Sequence, residues 1–230
     1  MKKNLVVLTG AGISAESGIP TFRDKGGLWE KYNLEEVATP EGWKKNPKLV
    51  LEFYNERRKQ LLECQPNKAH YILKELEEYF NVYIITQNVD DLHERAGSTN
   101  VLHLHGELRK AQSTVDPNLI YEIKGWQLNW GDKCEKGSQL RPYVVWFGEP
   151  VTKMPEAIKI TEKADIFVIV GTSLQVYPAA SLVFYVKKNT PIFLVDPTET
   201  YLDIENLTHI KEKASKGLEI LKNILLTSYI

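Results

Sequence analysis

The chain is poor in cysteine, in charge of one sign and in long apolar runs. Cys64 and Cys134 are the only cysteines among 230 residues, too few for a disulfide framework. Lysine plus arginine total 29 and aspartate plus glutamate 30, a net charge of −1. Without a basic surplus, non-specific attraction to nucleic acid is not expected. No apolar stretch approaches the roughly 18 residues that a membrane-spanning helix needs, so no membrane partner is expected. Met1-Lys2-Lys3 opens like a signal peptide, but the apolar run after it stops at Thr9-Gly10, too short for an h-region. Cytoplasmic is therefore the default location. Internal repeats and low-complexity tracts are also lacking. What is present is a chain that is 43% hydrophobic, enough to bury a core in one large domain or one with a small insertion.

Asn4 to Thr9 is continuous, apolar and β-branched, the pattern of a parallel strand buried on both faces. It runs into Gly10-Ala11-Gly12-Ile13-Ser14-Ala15, where Gly10, Gly12 and Ala15 fit the G-x-G-x-x-G/A spacing of a dinucleotide turn. In such a turn the first glycine permits the bend and the second admits a pyrophosphate. The small third residue lets the helix lie close, and the helix N-terminus faces the anion. An acidic residue about 20 positions later, which would hold a ribose, is missing; Asp24 comes too early. An ordinary Rossmann dehydrogenase is not the reading this favours.

Further strands are expected at Val82–Thr86, Val101–Leu104, Ile166–Gly171 and Ile192–Asp196, with helices over Asn67–Tyr79, Ala179–Lys188 and Lys216–Leu226. Leu34–Gln65 reads as two or three helices broken at Pro40 and Pro47. Asp24–Trp29 is a polar, glycine-rich loop, suited to a flap over a ligand or to a plain surface connection. Glu107–Arg141 has poor periodicity and reads as an insertion. Strands alternating with helices predict an α/β fold with a doubly wound parallel sheet, whose ligands sit beyond the carboxyl ends of the strands. Gly10, Gln87, His105, Gly171 and Asp196 all fall at or just past such ends.

Taken as a whole, Gly10 to Arg23 resembles the signature of the sirtuins, NAD-dependent protein-lysine deacylases. Four further segments in the same order are similar to the rest of that signature: Thr86-Gln87-Asn88-Val89-Asp90-Asp91-Leu92-His93, Leu104-His105-Gly106, Val144-Val145-Trp146-Phe147-Gly148-Glu149, and Gly171-Thr172-Ser173-Leu174. The resemblance implies a Rossmann-like NAD-binding domain formed by 1–24, 66–106 and 142–230. It also implies a small inserted lobe formed by 25–65 and 107–141. NAD is the implied cofactor, and acyl-lysine peptides or proteins are the implied partners.

By the same resemblance His105 is the general base on a ribose hydroxyl, a task suited to a group that titrates near neutrality. Gln87 and Asn88 hold the nicotinamide ribose and Asp90 lies in the nicotinamide pocket; Asn88 and Asp90 also suit helix capping. Arg23 steers a carboxamide or phosphate, and Phe22 shields a reactive sugar carbon from water. Gly10, Ala11, Gly12, Ala15, Thr21, Gly171, Thr172, Ser173, Asp196 and Ala214 complete the implied cofactor site. Asp196 departs from the family's usual asparagine and could accept but not donate. Val145, Phe147 and Gly148 belong to a strand that would pair with the backbone of a substrate peptide.

Two features set the chain apart. Tyr54 and Arg57 lie three residues apart, on one face of a helix. They resemble the Tyr-x-x-Arg of sirtuins that remove succinyl or malonyl groups; as plain sequence they also suit a solvated basic face. Most sirtuins also bind zinc on two Cys-x-x-Cys pairs. Here Cys134 stands alone and Gln112-Ser113-Thr114 carries none, so no structural zinc is expected. Asp132, His103 or Asp116 could substitute as ligands, and Trp126, Leu128 and Trp130 could supply packing instead. The expected activity is transfer of the acyl group to ADP-ribose, giving nicotinamide, free lysine and O-acyl-ADP-ribose. NAD hydrolysis or ADP-ribosyl transfer, and an inactive NAD or ADP-ribose sensor, are the alternatives.

Overall fold

The computed structural model describes residues 2–21, 32–199, 204 and 206–230. Its larger part is a six-stranded sheet of order β3-β2-β1-β7-β8-β9 with every pairing parallel. The strands are β1 (Asn4–Thr9), β2 (Asn81–Thr86), β3 (Val101–His103), β7 (Ile166–Val170), β8 (Ile192–Val195) and β9 (Leu207–Ile210). Leu5 and Val7 of β1 face one core layer, and Val6 and Leu8 face the other. Both faces are covered, which is why these strands read as unbroken apolar text. One layer is closed by α5 (Lys68–Leu76) and α8 (Ala214–Ser228), the other by α7 (Met154–Thr161) and a 3-10 helix (Ala179–Tyr185).

The smaller part is an antiparallel sheet of order β5-β4-β6, from β4 (Gly106–Ser113), β5 (Ile120–Glu122) and β6 (Leu140–Val144). Beside it lie α2 (Leu34–Val37), α3 (Pro40–Lys45) and α4 (Pro47–Glu63). Pro40 and Pro47 stand in the first turns of α3 and α4 after capping residues Thr39 and Asn46, positions where the missing N–H costs nothing. Two further short helices among the described residues are α1 (Ala11–Ala15) and α6 (Leu92–Arg95).

Several sequence expectations are corrected. The stretch 107–141, read as aperiodic, carries most of the small sheet. Its alternation is hidden by a register irregularity in β4 between Gly106 and Ala111. It is also hidden by the buried Arg141 in β6. The crossover after β7 is a 3-10 helix ending at Tyr185, not a helix to Lys188. Its buried pairs Ala179/Leu182 and Ala180/Val183 recur every three residues, the 3-10 period. Strand β9 and helix α7 were not foreseen. Val145–Gly148 is not a strand: β6 stops at Val144.

Candidate active site

β1, β2 and β7 end side by side where the order of connection reverses on the two flanks of β1, the place where an open parallel sheet leaves a crevice. The turns after β1 and β7 are pressed together. Gly10 N donates to Val170 O at 3.0 Å and Gly12 N to Gly171 O at 2.9 Å. A Cβ on Gly12 would come within 2.6 Å of the Gly171 Cα. The glycine at 12 is therefore demanded by a neighbouring turn, a reason the motif spacing does not disclose.

A chain of hydrogen bonds ties the three strand ends. Gln87 Nε2 donates to Thr172 Oγ1 at 3.1 Å. Asn88 Nδ2 donates to Gly10 O at 3.1 Å and to Ser14 Oγ at 3.2 Å. Ser14 Oγ donates in turn to Asp90 Oδ2 at 2.9 Å, and Asp90 Oδ1 accepts from Leu92 N at 3.2 Å. The N-cap position of α6 is Asp91, whose side chain makes no capping bond, so Asp90 meets the helix only through its bond from Leu92 N. Burial holds the Asp90 carboxyl above its usual range, opposed by the bonds from Ser14 and Leu92. Ser14, buried and central to this chain, was absent from the sequence candidates. Its only signal is a small polar residue inside the motif helix.

His105 stands between β3 and β4. Its Nδ1 lies 3.0 Å from Gln87 O. A carbonyl only accepts, so Nδ1 carries the proton and Nε2 keeps its lone pair. Burial pushes the imidazole below its ordinary range, against the Gln87 carbonyl. Gly106 follows at φ +83°, and its α-carbon lies against the Tyr143 carbonyl with no space for a side chain. That close crossing lets Val145 N donate to His105 O at 2.9 Å. His103 serves differently. Its Nδ1 meets Asn88 O at 3.0 Å and its Nε2 meets Glu94 Oε1 at 2.7 Å. Burial disfavours its charge, yet Glu94 prevails and the pKa is raised. The ring is held between these two acceptors and so fixes the Asn88 backbone.

Tyr54 and Arg57 lie on α4, where Tyr54 packs with Leu108 and Val144 of the small sheet. Tyr54 is buried, and its phenol oxygen accepts from Trp146 Nε1 at 3.1 Å. The Arg57 guanidinium lies 5.6 Å from the Phe53 ring centre and 5.7 Å from that of Tyr54. Burial lowers the Arg57 pKa, partly restored by Tyr54 and Asp90, so its charge is felt by the cleft carboxylate. This is no solvated face. Arg58, the next residue, is fully buried, with Nε on Leu108 O at 2.6 Å and Nη1 on Trp126 O at 2.6 Å. The run Glu56-Arg57-Arg58-Lys59 gives no sign that its middle members differ in this way.

Other candidates are placed less centrally. Asp196 follows β8, and its Oδ1 accepts from Thr198 N at 2.8 Å. Ala214 opens α8 and is buried in the core layer beneath β8. Thr21 and Ser173 are half-buried near the two turns. Phe147 is exposed, with its N–H on Ala38 O. Phe22, Arg23 and the Asp24–Trp29 loop lie outside the described residues. A cavity of about 400 Å³ between α4 and Trp126, Leu128 and Trp130 shares no residue with the cleft.

The region where zinc cysteines were sought holds a polar knot. Cys134 Sγ lies 3.4 Å from Ser113 Oγ and 3.2 Å from Ser138 Oγ. These hydroxyl contacts bring the thiol pKa down to about 7. Asp116 pairs with Lys136, Asp132 accepts from Asn129 N, and His103 is held by Glu94. Among the described residues, no group of three or more His, Cys, Asp or Glu could hold a metal ion. Leu128 packs as proposed, but Trp130 is 54% exposed and does not.

Three comparisons fit this geometry. The model of the Sir2 family matches residues 10–178. An NAD-dependent protein deacylase of Bacteroides thetaiotaomicron is 56% identical over 230 residues, covering 97% of this chain and 98% of its own length. Among solved structures, a Sir2 homologue mutant in complex with ADP-ribose has a TM-score of 0.89 at 43% identity, covering 99% of this chain and 95% of its own. A Sir2 homologue in complex with NAD has a TM-score of 0.87 at 45% identity, covering 98% and 90%.

Proposed function

The chain belongs to the Sir2 family and is an NAD-dependent protein deacylase; from that premise we propose that it prefers lysines carrying succinyl or malonyl groups over acetyl-lysine. The observation that carries this reading is the pairing of Tyr54 and Arg57 at the cleft. A guanidinium can take an acyl carboxylate bidentately, and the phenol can add a third bond. Charge-assisted bonds are worth about 1.5–3 kcal/mol each, enough for about tenfold or more in preference.

The residues assembled at the strand ends suit a dinucleotide. They are amides and hydroxyls that match sugar hydroxyls and a carboxamide. We assign cofactor contacts to Gly10, Ala11, Gly12, Ala15, Thr21, Phe22, Arg23, Gln87, Asn88, Asp90, Gly171, Thr172, Ser173, Asp196 and Ala214. These lie in a domain of residues 1–24, 66–106 and 142–230, with 25–65 and 107–141 as the small lobe. NAD, when bound, supplies an activated sugar carbon with nicotinamide as leaving group. His105 takes a hydroxyl proton at Nε2, the nitrogen left bare by the bond from Nδ1 to Gln87. Asn88 and Asp90 orient the reacting end, with Arg23 as the third group assigned there. Val145, Phe147 and Gly148, in the segment just after β6, would receive the backbone of the acyl-lysine peptide.

The test is a panel of succinyl-, malonyl- and acetyl-lysine peptides with NAD, following nicotinamide release by the wild type and by Arg57→Met. The proposal expects kcat/KM about tenfold or more higher for the acidic acyl groups, and loss of that margin in the variant. Equal turnover of all three by the wild type overturns it. Nicotinamide release without peptide would point instead to NAD hydrolysis.

A further inference from the structure

Resting on the acidic-acyl reading, we infer that Trp146 is a positioning residue for acyl selectivity: its indole N–H sets the orientation of the Tyr54 hydroxyl, so that the phenolic hydrogen is offered to the acyl carboxylate.

An indole nitrogen can only donate, so at 3.1 Å the Tyr54 oxygen must meet it with a lone pair. A phenol O–H lies in the ring plane and has two orientations, turned about half a revolution apart. With a donor on one side, the hydrogen takes the other, away from Trp146. Tyr54 and Trp146 are 3% and 2% exposed, so little water competes for either group. Among the described residues Tyr54 donates to nothing, which leaves its hydrogen for an incoming acceptor. Burial raises the Tyr54 pKa, so the phenol stays protonated at neutral pH.

Trp146 is itself tightly held. The Arg141 guanidinium stacks 3.4 Å from its ring centre. Glu149 takes that guanidinium bidentately, at 2.6 and 3.0 Å, and also accepts from Trp146 N at 2.8 Å. Arg141 Nη2 further donates to Val144 O at 3.0 Å. Trp43 packs on the indole with ring centres 5.7 Å apart. A ring fixed in this way can hold a phenol in one rotamer, which a mobile donor could not. Val145, its neighbour, is bonded to the His105 carbonyl. One short segment therefore ties the acyl end of the cleft to the catalytic base.

The experiment compares succinyl- and acetyl-lysine peptides with four proteins: wild type, Trp146→Phe, Tyr54→Phe and the double variant. Trp146→Phe should lower the succinyl-to-acetyl ratio of kcat/KM about fivefold, the worth of one net hydrogen bond. The loss should appear mainly as a higher KM for the succinyl peptide. In the Tyr54→Phe background the same change should do nothing further, because there is no hydroxyl left to orient. Should Trp146→Phe not fold, β-(3-benzothienyl)alanine at position 146 keeps the indole shape without the donor. An unchanged ratio, or an equal loss in both backgrounds, overturns the inference. A wild type that prefers succinyl, loses the preference in Arg57→Met and keeps it in the Trp146 variants overturns this inference alone. Equal turnover by the wild type overturns the acidic-acyl reading and this inference with it.

Discussion

The six-stranded and three-stranded sheets are held by different physics. The large sheet buries apolar residues on both faces, in two layers closed by helices. The small sheet packs only parts of its strands into two smaller clusters: Leu108 and Val144 with Val37, Val50, Phe53, Leu61 and Trp146, and Ala111, Ile123 and Leu140 with Leu51, Leu128 and Cys134. Beyond that it relies on hydrogen bonds and ion pairs: Cys134 with Ser113 and Ser138, Lys136 with Asp116, Tyr121 with Glu135, and Gln139 with Asn129 and Leu140. Such polar contacts fix a geometry but add little net stability where water reaches them. The lesson is a division of labour. The large sheet supplies most of the buried core, and in the proposed function it carries the cofactor site while the small sheet walls the acyl-lysine.

The sharpest way to break this comparison is to truncate one core residue in each part. Phe167→Ala, at a fully buried position in the large sheet, should cost about 4 kcal/mol in urea denaturation. Leu128→Ala in the small cluster should cost about 2 kcal/mol, the low end for leucine, because a thin lobe collapses onto the gap. Equal costs would refute the division.

Acid should probe the large part next. His70 and His93 are buried with ring centres 4.9 Å apart, and burial lowers the His70 pKa from 6.5 to about 4 and that of His93 well below its ordinary value. Above pH 6.5 both are neutral in the folded and unfolded chain. As pH falls toward 4, the unfolded chain binds protons that the folded one refuses, so stability is lost. His70 alone accounts for about 3 kcal/mol over that window. His70→Asn should flatten this loss between pH 6.5 and 4 in urea midpoints, and an unchanged slope would contradict the assignment.

The smallest effect expected is none. If the polar knot stands where a metal would, treatment with a strong chelator should leave Tm within about 1 °C. A fall of several degrees, or one equivalent of zinc per chain by metal analysis, would show that the lobe is metal-held after all.

Legibility in the sequence followed burial. β1, β2, β7 and β8 were readable because both of their faces are covered, which leaves continuous apolar text. Helices α5 and α8 were readable because one face packs on the sheet, as at Ala69, Ile72, Leu73 and Leu76, and at Leu218, Leu221 and Leu225. The small sheet was unreadable because its irregular β4 and arginine-bearing β6 break the two-residue period. Gln87, Asn88, Asp90 and His105 were nominated by motif, while the bonds of Ser14, the burial of Arg58 and the hold of Trp146 on Tyr54 were not. Nothing in a run such as Glu56-Arg57-Arg58-Lys59 tells which cation crosses into the interior.

The sequence alone determined the parallel sheet, the glycine turn at its rim and the histidine beside it, because periodicity and turn chemistry are local properties of the chain. Only tertiary structure decided that Gly12 is required by Gly171, that Asp90 is bonded to Ser14, and that the Tyr54 phenol is held by an indole 92 positions away. Each of these is a contact between segments distant in the chain. The direction of a hydrogen bond, like the burial that shifts a pKa, exists only once those segments have met.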